Sequence, residues 1–308
     1  MIRLAVRVSS EHAELVLAEL LTLCPAGVEE AELAPGVIEY AVYGAPGELP
    51  SLPDLHAVAG DALVEVRTTE VAEDWSERWK QFHRPVLIPA PAGSTGVPAV
   101  YVRPPWEPPR GAADGIEIEI DPGQAFGTGG HATTRLCLEL LLAHAGLRGA
   151  RGAVLDVGTG SGVLAIAASR LGYAPVLALD NEPESVNAAC ENARVNGATV
   201  EVRRLDLRSD PLRWVGEEPT APTLVLANLL APLLELLAST LADGPALPGD
   251  LVAGGLLDHE APAVARAFAQ AAGMEVVRSR EEGGWAALWL ARPGQPSASS
   301  VAAHTLAR

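Results

Sequence analysis

Cysteine is scarce. Cys24, Cys137 and Cys190 are the only three in 308 residues, an odd number, widely spaced and set in apolar or helical contexts, which excludes a disulfide framework and offers no zinc or other metal site. Long apolar runs are missing too: 48% of residues are hydrophobic, yet charge or glycine interrupts every run well short of the ~18 residues that span a bilayer. No membrane association is expected. The opening Met1-Ile2-Arg3-Leu4-Ala5-Val6-Arg7 alternates like a strand instead of reading as a leader, so a reducing cytoplasm is the expected compartment. Basic residues are the third shortage, 22 against 39 acidic for a net charge of −17. A surface of that sign repels phosphate backbones, and direct nucleic-acid binding is not expected.

The acidic excess is uneven. Residues 1–70 hold only Arg3, Arg7 and Arg67 against twelve carboxylates, a net of −9, which suits either a solubilising face or a docking module for a basic partner. Their pattern predicts the order β-α-β-β-α-β: a strand over 2–9, a helix from Ser10, strands over 28–33 and 37–43 about Ala34-Pro35-Gly36, a short helix over 52–58 and a strand over 62–69. That order fits a small ferredoxin-like α+β domain. Trp75, Trp79 and Phe82 then make one aromatic face of a short helix, and eight prolines between Pro85 and Pro109 suit extended strands, turns and a semi-rigid connector. Residues 71–110 are read as this connector, with a hinge around Gln81 to Pro91.

From about residue 111 to 293, strand-like and helix-like segments alternate, beginning with 116–120 and 133–145 and ending in the strand pair 274–280 and 286–291. This argues an α/β domain with an open, mostly parallel sheet and helices on both faces. Residues 294–308, rich in Ser and Ala without a period, read as a disordered tail.

Within the α/β stretch, Val154-Leu155-Asp156-Val157-Gly158-Thr159-Gly160-Ser161-Gly162 is an apolar strand entering a glycine loop and then a nearly all-apolar helix. Glycines allow a tight turn and close approach of a ligand, and amides at a helix start attract an anionic group. A dinucleotide fingerprint wants its third glycine one position later, where Val163 stands. Asp180 closes the next strand, where a carboxylate can take both hydroxyls of a ribose. Asp206 ends the third strand and is a candidate acceptor for an adenine amino group. Asn228 follows the buried strand Thr223-Leu224-Val225-Leu226-Ala227 at the carboxyl edge of the sheet, where ligands of such folds sit. Either Thr133 or Thr134 could simply cap the helix they open, and His131 reads as a loop-ordering hydrogen-bond donor.

Asp74-Trp75, Trp79-Lys80, Phe82, Pro105-Trp106, Asp121-Pro122-Gly123, Ala125-Phe126-Gly127-Thr128-Gly129, His131, Thr133-Thr134, the 156–162 loop and Asn228-Leu229-Leu230-Ala231 occur in one order. That order resembles the methyltransferase family of large-subunit ribosomal protein eleven, PrmA, among the class I methyltransferases. The resemblance covers about residues 72–291 strongly and the acidic module more weakly; Gly130 and Ala132 stand where many members have Thr and Pro, and residues 207–222 are longer than usual. It implies a Rossmann-like class I methyltransferase domain behind the ferredoxin-like module, and S-adenosyl-L-methionine as cofactor. The implied cofactor-binding residues are Phe126, Gly127, Thr133, Thr134, Asp156, Gly158, Gly160, Gly162, Asp180, Asp206 and Asn228, with Asn228 and Leu229 facing the nucleophile and no metal.

Methyltransferases of planar exocyclic nitrogens resemble one another in carrying prolines and an aromatic after this asparagine. Leu229-Leu230 supply no such stacking platform, which favours an sp³ amine, a lysine side chain or an α-amino group. The expectation is a monomeric enzyme methylating ribosomal protein eleven, docked by residues 1–70. The alternatives are a small-molecule or ribosomal RNA methyltransferase on the same fold, or a non-catalytic nucleotide-binding adaptor.

Overall fold

A computed structural model describes residues 2–9, 13, 16–17, 29–34, 36–44, 63–70, 83–94, 96–110, 115–122, 129–212, 222–242 and 247–293. Several expectations lie outside these residues: the 52–58 helix, the aromatic face of Trp75, Trp79 and Phe82, the Phe126-Gly127 turn and the 294–308 tail. The chain divides into two compact units, residues 1–82 and 83–308.

In the first unit, β1 (Ile2–Ser9), β2 (Glu29–Ala34), β3 (Val37–Gly44) and β4 (Leu63–Glu70) form one antiparallel sheet in the order β2-β3-β1-β4. This is the strand order of a split β-α-β unit, and helical Ala13 and Val16 pack on it. Alternation along β1 explains the arrangement. Leu4, Val6 and Val8 point into a core with Val16, Tyr40 and Val42, whereas Arg3 and Arg7 point to the opposite face. There Glu39 accepts from both arginines at 2.7 Å, and Glu65 pairs with Arg7 and with Arg67. All three basic residues of the module are therefore engaged within its own sheet.

The second unit opens with a surprise. The proline-rich stretch read as connector supplies β5 (Val86–Ile88) and β6 (Ala99–Arg103), which join β7 (Gly115–Glu119) in a three-stranded sheet. Pro85, Pro89, Pro98 and Pro104 flank these strands without interrupting them, so the prolines set strand length while leaving the ladder amides intact. The segment around 116–120 thus belongs to this small sheet and not to the large one.

The large sheet has seven strands in the order β10-β9-β8-β11-β12-β14-β13. Its members are β8 (Val154–Val157), β9 (Val176–Asp180), β10 (Glu201–Arg204), β11 (Leu224–Asn228), β12 (Asp250–Leu257), β13 (Glu275–Glu282) and β14 (Trp285–Ala291). Strands β8 to β12 run parallel, and β14 enters antiparallel between β12 and β13. Strand residues alternate between two cores. Val154, Ala178, Leu224 and Leu226 face α1 (Ala132–Arg148) and α2 (Val163–Leu171); Leu155, Leu177, Val225 and Ala227 face α4 (Ala231–Ala242) and α5 (Ala261–Ala272). The remaining helix, α3 (Pro183–Val195), follows β9. Because the order reverses between β8 and β11, a crevice is expected at their carboxyl ends.

Candidate functional site

Strand β8 ends in Asp156-Val157 and turns into the glycine loop. Gly158 has φ 73°, the left-handed conformation that favours glycine, and Leu229 Cδ2 occupies the space a Cβ there would take. The loop amides are consumed internally. Gly158 and Thr159 N–H donate to the Leu179 carbonyl at 2.8 and 2.9 Å, Gly162 N–H to the Thr159 carbonyl at 2.9 Å, and Val163 N–H to Ser161 Oγ at 3.4 Å. Gly160 N–H donates to Asp180 Oδ2 at 2.9 Å. The expected attraction of an anion by free amides is thereby corrected: these donors are taken, and the loop is poorly suited to a pyrophosphate. A cofactor without phosphate meets no such obstacle.

What the site offers is acceptors. Asp180, buried at the end of β9, is fixed by Gly160 N–H on one oxygen and Glu182 N–H, 3.0 Å, on the other, which leaves lone pairs on each for a diol. Asp156 is fully buried; its Oδ2 accepts from Thr159 Oγ1 at 2.6 Å, while Oδ1 has no hydrogen-bond partner. Burial pushes its carboxyl up to about 7, with Asp180 adding to the rise and the Thr159 hydroxyl opposing it. Asp206, just past β10, accepts Arg208 N–H at 3.0 Å on Oδ1.

Across the crevice, Asn228 Nδ2 donates to the buried Thr134 Oγ1 at 3.4 Å, and Asn228 Oδ1 is buried without a partner. Thr134 and Asn228, 94 residues apart, are therefore brought together. Thr133 and Thr134 do not cap α1. His131 does, its Nδ1 accepting Thr133 N–H at 3.4 Å, so its part toward the threonine amide is that of acceptor, not donor. Burial holds His131 below the ordinary histidine value, aided by the nearby Arg135, which keeps that nitrogen able to accept.

Three contributors were missed in the sequence. Asn192 Nδ2 donates to the Ser161 carbonyl at 2.9 Å and its Oδ1 accepts Asp121 N–H at 3.2 Å, tying the glycine loop to the strand that leads toward Phe126. Its signal was legible: Asn192 and Asn196 stand four apart, both buried, on one face of α3 and its cap. Gly254 and Gly255 in β12 are the other two. A side chain at Gly254 would overlap Cys137 Sγ and crowd Asn228 Oδ1 at 3.2 Å, and one at Gly255 would press on the Leu229 carbonyl at 2.5 Å. A glycine pair inside a strand marks such close approach.

This donor-poor, acceptor-rich crevice fits a cofactor that combines a ribose with positive charge. The family model of ribosomal protein L11 methyltransferase (PrmA) matches residues 54–293. This chain belongs to that family. A ribosomal protein L11 methyltransferase of Pelotomaculum thermopropionicum is 40% identical over 227 residues, 74% of this chain and 68% of that protein. One from Chloroflexus aurantiacus is 38% identical over 260 residues, 78% and 75% respectively. The crystal structure of a ribosomal protein L11 methylase from Lactobacillus delbrueckii subsp. bulgaricus superposes with a TM-score of 0.54 at 32% identity, covering 63% of this chain and 94% of that one. The PrmA chain described here is a Rossmann-like, S-adenosylmethionine-dependent methyltransferase. Among the described residues of this PrmA chain, no helix is long and apolar enough to cross a membrane.

Proposed function

We propose that this chain, as a monomer in the cytoplasm, methylates amines of ribosomal protein L11: lysine side chains, the α-amino group, or both. The observation that carries the reading is Asn228, whose buried Oδ1 lacks a partner at the switch point of a PrmA-family fold.

Bound S-adenosylmethionine supplies an electrophilic methyl on a sulfonium. The chain binds and orients. Asp180 receives the ribose hydroxyls, Asp206 the adenine amino group, and Gly158, Gly160 and Gly162 keep the backbone low enough for the cofactor to lie across it, with Thr133 and Thr134 on the opposite side. Asp156 braces the loop through Thr159. Free lysine titrates near ~10.4, so the substrate amine must first lose a proton to water, a loss that burial in the crevice favours. Asn228 Oδ1 and the Leu229 carbonyl then accept N–H bonds from the neutral amine and leave its lone pair free. The gain is one of orientation and exclusion of water.

The acidic first module docks the basic substrate. Its three arginines are engaged with Glu39 and Glu65, which supports a role for the remaining carboxylates in drawing a cation, and association should weaken with salt. Labelled S-adenosylmethionine, offered with purified L11 or with ribosomal RNA, should label the protein. Label on the RNA alone would overturn the reading. Deleting residues 1–70 should preserve cofactor binding and abolish L11 methylation, provided the fragment is monomeric and folded; methylation at the parent kcat/KM would reduce the module to a structural appendage.

A further inference from the structure

Directly after Asn228, two leucines behave in opposite ways. Leu229 is half-buried, its Cδ2 closing over Gly158, whereas Leu230 is 65% exposed, the highest value among the large hydrophobic residues exposed in the described chain. Leu230 is also the capping residue of α4: its carbonyl accepts from Leu233 N–H at 2.9 Å and Leu234 N–H at 3.1 Å. Leucine is among the least favoured residue types there, since it has no oxygen to offer the first turn. An isolated exposed leucine would need no explanation. This one breaks two local preferences at once, two residues from the unpartnered Asn228 Oδ1, and such doubly inconsistent positions are where function overrides folding.

We propose that Leu230 is a substrate-contacting specificity residue, an apolar ledge for the methylene stem of the lysine whose amine reaches Asn228. A lysine side chain is an apolar stem with a polar end. Binding it needs both a hydrogen-bond acceptor at depth and an apolar surface at the rim, and Asn228 at the end of β11 and Leu230 two residues on supply the two. A contact with the stem is the same before and during transfer, so it acts on KM and not on kcat. An α-amine lacks that stem and gains little from the ledge.

The inference rests on the L11 reading, and the test separates the two. Steady-state methylation of L11 is measured for the parent, Leu230→Ser and Leu230→Met, with cofactor affinity by calorimetry and Tm alongside. Leu230→Ser should raise KM for L11 about tenfold, the loss of contact with two or so methylenes, with kcat and cofactor affinity unchanged. Its Tm should equal or exceed the parent's, because serine is a better cap. Leu230→Met should restore the parent KM. If Leu230→Ser keeps the parent KM, or if its activity falls only in step with Tm, the ledge is wrong while the L11 reading stands. If the parent itself fails to methylate L11, both fall.

Discussion

The two ends of the seven-stranded sheet bury different kinds of polar group, an ion-paired cluster at one and open acceptors at the other. At the amino end, Asp250 opens β12 and accepts Trp289 Nε1–H at 2.8 Å, with His144 and Arg148 each 3.6 Å away; His144 in turn meets the Tyr173 hydroxyl at 2.6 Å. Burial pushes the Asp250 carboxyl up, but His144, Trp289 and Arg148 outweigh it and hold it below the ordinary range. At the carboxyl end, Asp156 Oδ1 and Asn228 Oδ1 are buried without a hydrogen-bond partner, and the Thr159 hydroxyl and the Ala165 N–H only partly offset the burial that raises the Asp156 carboxyl. At the amino end His144 Nε2 makes no hydrogen bond of normal length but faces the opposite charge of Asp250, so the group is scaffold, whereas the open atoms at the carboxyl end are acceptors, provision for a ligand. The difference separates stability from function within one sheet.

The largest effect should come from the scaffold end. Asp250→Ala strands His144, Arg148 and the Trp289 N–H and should cost about 3 kcal/mol in denaturant unfolding, while folded protein keeps its cofactor affinity. The stability Asp250 provides is present above its ordinary value of 3.8 and is lost as pH falls through the lower folded value. An affinity loss as large as the stability loss would break the division. Asn228→Ala inverts the pattern: kcat should fall about 10- to 100-fold with Tm nearly unchanged. An unchanged kcat in a folded variant would remove Asn228 from the site.

The smallest effect concerns Asp156, whose raised value has the opposite sign to that of Asp250. Stability associated with its neutral form is full below 3.8 and is lost as pH rises through about 7. Asp156→Asn should therefore gain Tm on the parent as pH increases from about 5 to about 8. A parallel pH dependence in the two proteins would show that the carboxyl is ionised in the fold without penalty.

Much of this was legible because it is local. Apolar alternation marked the strands of both units, and Gly158 to Gly162 with Asp180 marked the crevice before any pairing was known. The unread parts are long-range. No pattern near Asp250 announces Trp289, 39 residues on, and no periodicity says that Val86–Ile88 pairs with Ala99–Arg103, or that Ala99–Arg103 pairs in turn with β7. The capping role of His131 was not legible because helix capping depends on backbone angles, here φ −76° and ψ 143°, while residue preference alone pointed to the threonines. The amides of the glycine loop were read as free because their acceptors, the Leu179 carbonyl and Asp180, arrive from the next strand.

The central claim is that the carboxyl end holds S-adenosylmethionine through acceptors the fold leaves open, and calorimetric titration of Asp180→Ala tests it most directly. Affinity should fall by ~1.5 to 3 kcal/mol, the range for lost charge-assisted hydrogen bonds, with Tm close to the parent's. Parent-like affinity in that variant, or a parent protein that binds NAD in preference to S-adenosylmethionine, would contradict the account.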